Sequence, residues 1–344
     1  MDTYFTVSVI IPTLNSAKTL SLCLDSIAFQ DYPKENLEVI FADGGSQDAT
    51  LKVIDEFKNR NIGIKVKVIE NKLRTGESGK AVALKASSCE IIAFIDSDNI
   101  LDGKDWLKTM VKPFADKEII AAEPISYTYR KTDGYITRYC SLMGMNDPLC
   151  YFLGNYDREC ILSGRWTEMP YELLEEKSTY SKLKLAPEKM PTIGANGFLI
   201  RRNELEKLGI GDYLFDIDVL SQSLASDSTK SIAKVKLGIV HIFSGTLKGF
   251  YLKQIRRISD FKYFNANGLR RYEWGKVNRP GLVYFCLSCL FILPLFWQAL
   301  MGYARRNDLV WFLHPVFCWI TFFVYAAGVM FGQNAVLRRD KWQL

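Results

Sequence analysis

No basic stretch precedes the first apolar run of this 344-residue sequence, which opens MDTYFTVSVIIPT with an acid at position 2 and so lacks the pattern of a secretory signal. The main domain is expected to stay in the cytosol. A compact disulfide framework is missing too, because the eight cysteines, Cys23, Cys89, Cys140, Cys150, Cys160, Cys286, Cys289 and Cys318, are scattered along the chain. Cys286 and Cys289 have the C-x-x-C spacing of a zinc or redox site, yet they lie in an apolar run with no second ligand pair, and packing is their expected role. Internal repeats, low-complexity tracts and nucleic-acid motifs are absent, so no nucleic-acid partner is expected. Histidine occurs only as His241 and His314.

Charge is missing altogether from residues 281–304 and 309–332. Each stretch is long enough to cross a hydrocarbon core of about 30 Å, and core helices rarely run about 20 residues without a charged face. Residues 281–332 are therefore read as two transmembrane helices of a multi-pass membrane protein. The formal net charge is +6, and Lys248, Lys253, Arg256, Arg257, Lys262, Arg270, Arg271, Lys276 and Arg279 all precede the first stretch. Such a cluster suits an anionic cytosolic leaflet, and Arg338, Arg339 and Lys341 in the tail 333–344 suit the same side. The connecting turn, Arg305-Arg306-Asn307-Asp308, is itself basic, which leaves open a re-entrant or tilted hairpin that never fully crosses.

The first part of the chain alternates apolar runs with helical patterns: residues 7–11, 37–42, 65–70 and 91–95 read as strands, and 17–29, 49–59 and 79–86 as helices. That alternation predicts an α/β fold with a parallel sheet covered by helices. Ligands collect at the carboxyl ends of such strands. Thr13 and Asn15 follow the first strand, Asp43-Gly44-Gly45-Ser46 the second, and Asp96-Ser97-Asp98 the fourth, so three strand ends point to one crevice. From 112 to 202 the pattern loosens around Pro124, Pro148, Pro170, Pro187 and Pro191 and carries Tyr127, Tyr129, Tyr135, Tyr151, Tyr156, Trp166 and Tyr171, rings that suit sugar or prenyl stacking or a plain irregular packing layer. Residues 247–272 interleave aromatic and basic side chains at helical spacing, as in a helix lying in a membrane interface; a core-facing helix is the alternative for its first half.

Asp96 and Asp98 are hard oxygen donors spaced to divide the work at a strand end, one towards a ribose or water shell and one on a Mg2+ or Mn2+ ion that neutralises a leaving diphosphate. D-x-D pairs also occur in ordinary turns. Their position directly after the apolar run IIAFI favours the site.

Taken together, four segments resemble the family 2 glycosyltransferases of the GT-A fold. They are Val7-Ser8-Val9-Ile10-Ile11-Pro12-Thr13-Leu14-Asn15, Phe41-Ala42-Asp43-Gly44-Gly45-Ser46-Gln47-Asp48-Ala49-Thr50, Gly79-Lys80-Ala81 and Phe94-Ile95-Asp96-Ser97-Asp98. The resemblance covers roughly residues 6–243. It implies a nucleotide-diphosphosugar donor bound by Pro12, Thr13, Asn15, Asp43, Lys80, Asp96, Ser97 and Asp98, with Asp43 on the nucleobase and Asp98 as principal metal ligand. Asp48 is expected to serve the turn alone. Lys80 either reaches a phosphate or opens a solvated helix.

The element Phe215-Asp216-Ile217-Asp218 resembles the family's late helix start, where a carboxylate acts as general base; Asp216 aligns best and Asp218 is its rival. An alcohol is a poor nucleophile at neutral pH, and removing its proton in the transition state is worth about 100-fold or more. His241 falls where the family often adds a metal ligand, beside Asp98 and Asp96, while a lone histidine is more often structural. Gln254-Ile255-Arg256-Arg257-Ile258 resembles the Q-x-x-R-W element of membrane polysaccharide synthases, with Ile258 in place of tryptophan, and places Gln254, Arg256 and Arg257 near acceptor or diphosphate.

The expected organisation is a GT-A catalytic domain over residues 1–243, with a donor half to about 111 and an acceptor half after it, then a basic interfacial segment at 244–280. The expected activity is inverting, metal-dependent sugar transfer to a lipid-linked hydroxyl. Polyprenyl phosphate as acceptor, processive polymer synthesis and a non-catalytic nucleotide-binding scaffold are the alternatives. Nucleotidyl transfer is disfavoured, since Pro12-Thr13-Leu14-Asn15 has no glycine with which to grip a triphosphate.

Overall fold

The structure, a computed structural model, describes residues 4–272 and 278–331. Lys276, Arg338, Arg339 and Lys341 lie outside the described residues. The strands are β1 Val7–Thr13, β2 Leu37–Asp43, β3 Lys65–Glu70, β4 Ile91–Phe94, β5 Asn99–Leu101, β6 Ile119–Tyr127, β7 Tyr171–Glu176, β8 Tyr180–Leu185, β9 Phe198–Arg201 and β10 Ser231–His241. The helices are α1 Ala17–Ala28, α2 Thr50–Arg60, α3 Gly76–Ala86, α4 Trp106–Val111, α5 Tyr135–Met143, α6 Leu149–Leu153, α7 Arg202–Lys207, α8 Asp216–Ser226, α9 Leu247–Ala266, α10 Arg279–Phe291, α11 Leu293–Arg305 and α12 His314–Phe331.

By its internal contacts the chain divides into two compact units, Met1–Thr128 with Pro170–His241, and Tyr129–Met169 with Ile242–Leu344. The second boundary falls close to the expected one at 243. Residues 129–169, expected as part of an acceptor half, instead group with the C-terminal helices.

The first unit is a single sheet in the order β3-β2-β1-β4-β9-β6-β10-β8-β7, with β5 added to β10. Strands β3, β2, β1 and β4 are parallel. Strand β9 then runs antiparallel between β4 and β6. Helices cover both faces of the central strands, so β2 and β4 are buried along their whole length and read as unbroken apolar runs. The edge strand β3 instead exposes Lys65 and Glu70, and charge on an edge discourages pairing with another chain. Helix α3 starts on a capping box in which the Thr75 hydroxyl accepts from Ser78 N at 3.1 Å and the Ser78 hydroxyl accepts from Thr75 N at 3.2 Å. Gly79 lets this helix close on β1, since a Cβ there would sit 2.9 Å from Pro12 Cβ. That approach carries Lys80 inward.

In the second unit, Tyr139, Phe250, Trp311 and Phe317 share one buried core. The aromatic side chains Tyr129, Tyr135, Tyr151 and Tyr156 belong to this packing layer. Helix α9 buries Phe250, Gln254 and Phe264 while Leu247, Tyr251 and Phe261 remain exposed, so one face meets the core and the other does not.

Of the two membrane-crossing helices expected over residues 281–332, the first is divided between α10 and α11 and the second falls on the stretch that includes α12. Only Leu309–Met330 is long and apolar enough to cross by itself among the described residues, whereas α10 and α11 are separate helices bent by 96°. The break has a backbone cause. Ile292 sits at φ +63°, and Pro294, at the start of α11, lacks the N–H that would continue α10 and would clash with the preceding turn.

Candidate functional site

The loops after β1 and β2 hold each other. The Asp43 carboxylate accepts from the Thr13 hydroxyl at 3.1 Å, the Ser46 hydroxyl at 2.6 Å, and Gly45 N and Ser46 N at 2.9 Å each. These four bonds fill a carboxylate's acceptor capacity. A nucleobase N–H would therefore have to take the place of one hydroxyl, and both hydroxyls can rotate to other acceptors. Asn15, at φ +51°, donates its N–H to Ser46 Oγ at 2.9 Å and accepts from Gln47 N at 2.8 Å. Asp48 accepts from Ala17 N at 3.1 Å and Thr50 N at 2.9 Å, which ties the turn to the starts of α1 and α2. These bonds tie together the loops at the ends of β1 and β2, and Pro12 and Thr13 are the last two residues of β1.

After β4 the chain turns through Asp96, Ser97 and Asp98, all half-buried, and Asn99 Oδ1 closes the turn by accepting from Asp96 N at 2.9 Å. Strand β5 then pairs antiparallel with β10 in a register that sets Asn99 opposite His241. This pairing brings His241 Nε2 to 3.4 Å from Asp98 Oδ1. The Tyr127 ring lies 5.6 Å from the imidazole, and its hydroxyl accepts from Asn196 Nδ2 at 3.2 Å.

Lys80 is not the solvated residue that a helix start would allow. Its ammonium is buried, lies over the Phe94 ring at 5.1 Å from the centroid, and forms an ion pair with Asp216 Oδ2. Burial pulls the ammonium down, but the charges of Asp216 and Asp96 outweigh it and raise its pKa above the usual lysine value. Burial likewise holds the Asp96 carboxyl above the usual carboxylate range, opposed by Lys80 and reinforced by Asp98. Asp216 stands at the first position of α8, and its Oδ2 also accepts from Ala195 N at 3.1 Å. Its other oxygen, Oδ1, is buried and accepts no hydrogen bond among the described residues. Asp218 lies on the same helix and is buried.

Several contributors escape a sequence reading. Residues 194–197 take positive φ in succession, at +119°, +52°, +40° and +90°. The composition Gly194-Ala195-Asn196-Gly197 is the available signal, since glycine and asparagine tolerate that region. The loop is tethered from below: Glu123 Oε1 accepts from Gly194 N at 3.0 Å, and Glu123 Oε2 meets Lys234 Nζ at 2.6 Å in a pair with almost no solvent exposure. Opposite charges inside two apolar strands, β6 and β10, were the signal here. Asn99 joins the same layer by donating to Asn196 Oδ1 at 2.9 Å.

Gly194 has a sharp steric role, because a Cβ built on it would lie 2.3 Å from the Asp216 Cβ. Gly194→Ala is expected to displace Asp216, lowering turnover at least about 10-fold, as small misplacements of a reacting group do. A kcat equal to wild type with an unchanged melting temperature would show that the loop does not set the position of Asp216.

Gln254, Arg256 and Arg257 belong to the second unit. Gln254 is fully buried and donates to the Asn146 carbonyl at 3.1 Å, while its Oε1 accepts from Arg257 and from the Tyr325 hydroxyl, each at 3.1 Å. Arg257 also donates to the Asn146 carbonyl at 3.0 Å, and Arg256 is exposed. The amide of Gln254 is thus used within its own unit.

Among the described residues no three His, Cys, Asp or Glu side chains converge as a complete metal cage. Mg2+ and Mn2+ are commonly held by one or two protein ligands with substrate phosphates and water supplying the rest. Adjacent ligands on such an ion, each at about 2.1 Å, stand about 3 Å apart. The Asp98–His241 separation of 3.4 Å fits that two-ligand mode.

A family model described as Glycosyl transferase family 2 matches residues 8–208. Among curated relatives, the poly(ribitol-phosphate) beta-N-acetylglucosaminyltransferase TarS of Staphylococcus aureus is 39% identical over 103 residues, covering 29% of this chain and 17% of the relative. Glycosyltransferase AglE of Haloferax volcanii is 29% identical over 140 residues, covering 40% of this chain and 45% of the relative. The chain therefore spans less than half the length of these relatives. A solved structure, the mannosyltransferase PcManGT from Pyrobaculum calidifontis in complex with GDP-Man and Mn2+, matches with a TM-score of 0.55 at 18% identity, over 97% of this chain and 88% of that one. At that identity the likeness shows a common fold, the GT-A sheet.

Proposed function

This chain belongs to glycosyl transferase family 2, and from that premise we propose that it transfers a sugar from a nucleotide diphosphosugar to a hydroxyl of a lipid-linked acceptor with inversion at the anomeric carbon. The observation that carries the reading is the meeting of Lys80, Asp216, Asp96, Asp98 and His241 at the carboxyl ends of the parallel strands, with Asp216 Oδ1 accepting no hydrogen bond among the described residues. A Mn2+ or Mg2+ held by Asp98 and His241, with Asp96 in its outer shell, would offset the charge of the diphosphate.

The rest of the reading rests on the chain's own side chains. The loops after β1 and β2 receive the nucleoside, with Thr13, Asn15 and Asp43 forming the wall. Lys80 and Ala195 N hold Asp216 Oδ2 and thereby aim Oδ1, which takes the acceptor's hydroxyl proton as that oxygen attacks the anomeric carbon. The bond from carbon to the diphosphate oxygen breaks in the same step, and the nucleoside diphosphate leaves with its electron pair. One displacement with one base gives inversion. Arg256 and Arg257 are assigned to lipid phosphate or headgroup, and the apolar C-terminal helices to membrane association, which suits a lipid-linked acceptor.

A panel of UDP- and GDP-sugars, each with and without Mn2+, tests the reading through the melting temperature. A bound donor at about 100 times its Kd stabilises the folded state by about 2.7 kcal/mol, a shift of several degrees. Manganese-dependent stabilisation by at least one donor is the expected result. No shift with any member of the panel would sink the assignment.

A further inference from the structure

We propose that residues 279–331 form a single-leaflet anchor, which enters and leaves the bilayer on one side and carries no segment across it. This inference rests on the membrane association just assigned and adds its topology. Residues 129–169 leave strand β6 and return to strand β7 of one sheet, with charged residues interrupting them throughout, so this excursion lies on one side of any bilayer. Both ends of the bent helix pair are tied to it. At the start of α10, Asn278 Nδ2 donates to the Leu153 carbonyl at 3.3 Å. At the end of α11, Arg305 Nη1 donates to the Ile161 carbonyl at 2.7 Å. The turn that a crossing hairpin would deliver to the far side is therefore bound to the near side. Asp308 repeats the point, with Arg138 Nε at 3.0 Å and the Tyr129 hydroxyl donating at 2.7 Å.

Helix α12 is tied in the same way along its length. His314 Nδ1 lies 2.7 Å from the Tyr139 hydroxyl near its start, the Tyr325 hydroxyl donates to Asp147 Oδ2 at 2.5 Å further on, and the Gly328 carbonyl accepts from Lys262 Nζ. A helix crossing the core could not keep partners from one side at both of its ends.

The partner follows from the exposed surface. Both arms of the bent pair expose large apolar side chains, and exposure is greatest around the bend: Leu290 is 64% exposed, Phe291 69%, Leu293 77% and Trp297 64%. Arms of 13 residues are about 20 Å long, and bent by 96° they form a symmetric V about 15 Å deep, half of a core of about 30 Å. Exposed Lys248, Arg256, Arg271 and Arg279 supply charge that matches an anionic leaflet. A lipid leaflet is the occupant that takes both the apolar apex and the cationic fringe.

The full-length chain in sealed membrane vesicles tests this with Thr132→Cys and Asn307→Cys, both exposed positions, each reacted with a membrane-impermeant maleimide and blanked against the parent chain. Where Thr132→Cys reacts in intact vesicles, Asn307→Cys is expected to react too. Reaction of Asn307→Cys only after vesicle lysis would mean that the helix pair crosses. In parallel, Leu293→Glu with Trp297→Glu should lower flotation with phosphatidylglycerol-containing vesicles at least about 10-fold at an unchanged melting temperature. If the parent chain does not float at all, membrane association itself fails; if it floats but Asn307→Cys is protected, only the single-leaflet topology fails.

Discussion

Asp216→Asn is expected to lower turnover at least about 100-fold while manganese-dependent stabilisation by the donor persists. The substituted amide keeps the shape of the carboxylate but has no oxygen able to take the acceptor's proton. In the proposed reading, donor binding depends on the strand ends and on Asp98, which the substitution leaves in place. Stability will change as well, because the ion pair with Lys80 is largely buried, both side chains being about one-tenth exposed or less. Removing one partner of such a pair leaves a buried charge and can cost about 3–5 kcal/mol. The measurement is therefore kcat and KM at a temperature where circular dichroism shows the variant folded. A drop in kcat with KM for donor unchanged supports proton removal by Asp216. Wild-type kcat in the folded variant would point to an acceptor that is already anionic, such as a polyprenyl phosphate, and would remove Asp216 from the chemistry. Asp218→Asn is the companion variant, and it should leave kcat within a few-fold of wild type, since the contacts of Lys80 and Ala195 N fall on Asp216.

Asp98→Ala should abolish the manganese-dependent part of donor stabilisation and lower kcat/KM by about 1000-fold, the equivalent of about 4 kcal/mol of lost charge stabilisation. His241→Ala should show the same loss in weaker form, because a neutral imidazole contributes less to a hard cation than a carboxylate does. The two variants together should be less than additive, since both act on one ion. Titration of the donor-induced shift with Mn2+ separates a ligand from a neighbour. If Asp98→Ala keeps the wild-type manganese dependence and Asp96→Ala loses it, the principal ligand is Asp96.

Much of this site was legible because its parts are local. The ends of β1, β2 and β4 could be read from apolar runs that stop at Thr13, Asp43 and Ile95, followed by turn-forming residues. Burial of a parallel strand on both faces forces such runs, and the polar residue that ends one is placed at the sheet edge by the run itself. Asp48 makes its turn bonds for the same reason, as its partners Ala17 and Thr50 flank turns predicted independently. Lys80 was legible as a position but not as a role. Whether a lysine in the first turn of a helix is solvated or buried depends on how closely the helix approaches the sheet, and Gly79 against Pro12 decided that.

The apolar C-terminus shows the opposite case. Length and the lack of charge were read as two spans, with a re-entrant or tilted hairpin left open, and the chain bends by 96° at the break between α10 and α11. Hydropathy reports how apolar a stretch is and carries no information on its path. Where the intervening turn goes is decided by Arg305, Asp308 and their partners in residues 129–169.

By itself, then, the sequence determined the α/β class, the strand ends that build the crevice and the residue types able to hold a diphosphate or a metal there, because each depends on neighbours a few residues apart. The tertiary structure alone decided that Asp98 meets His241 through the β5–β10 register, that Lys80 holds Asp216 across a separation of 136 residues, and that Glu123 with Lys234 supports the loop at 194–197. Those contacts form only when strands distant in the chain settle into register, and a one-residue slip would turn every such side chain to the other face.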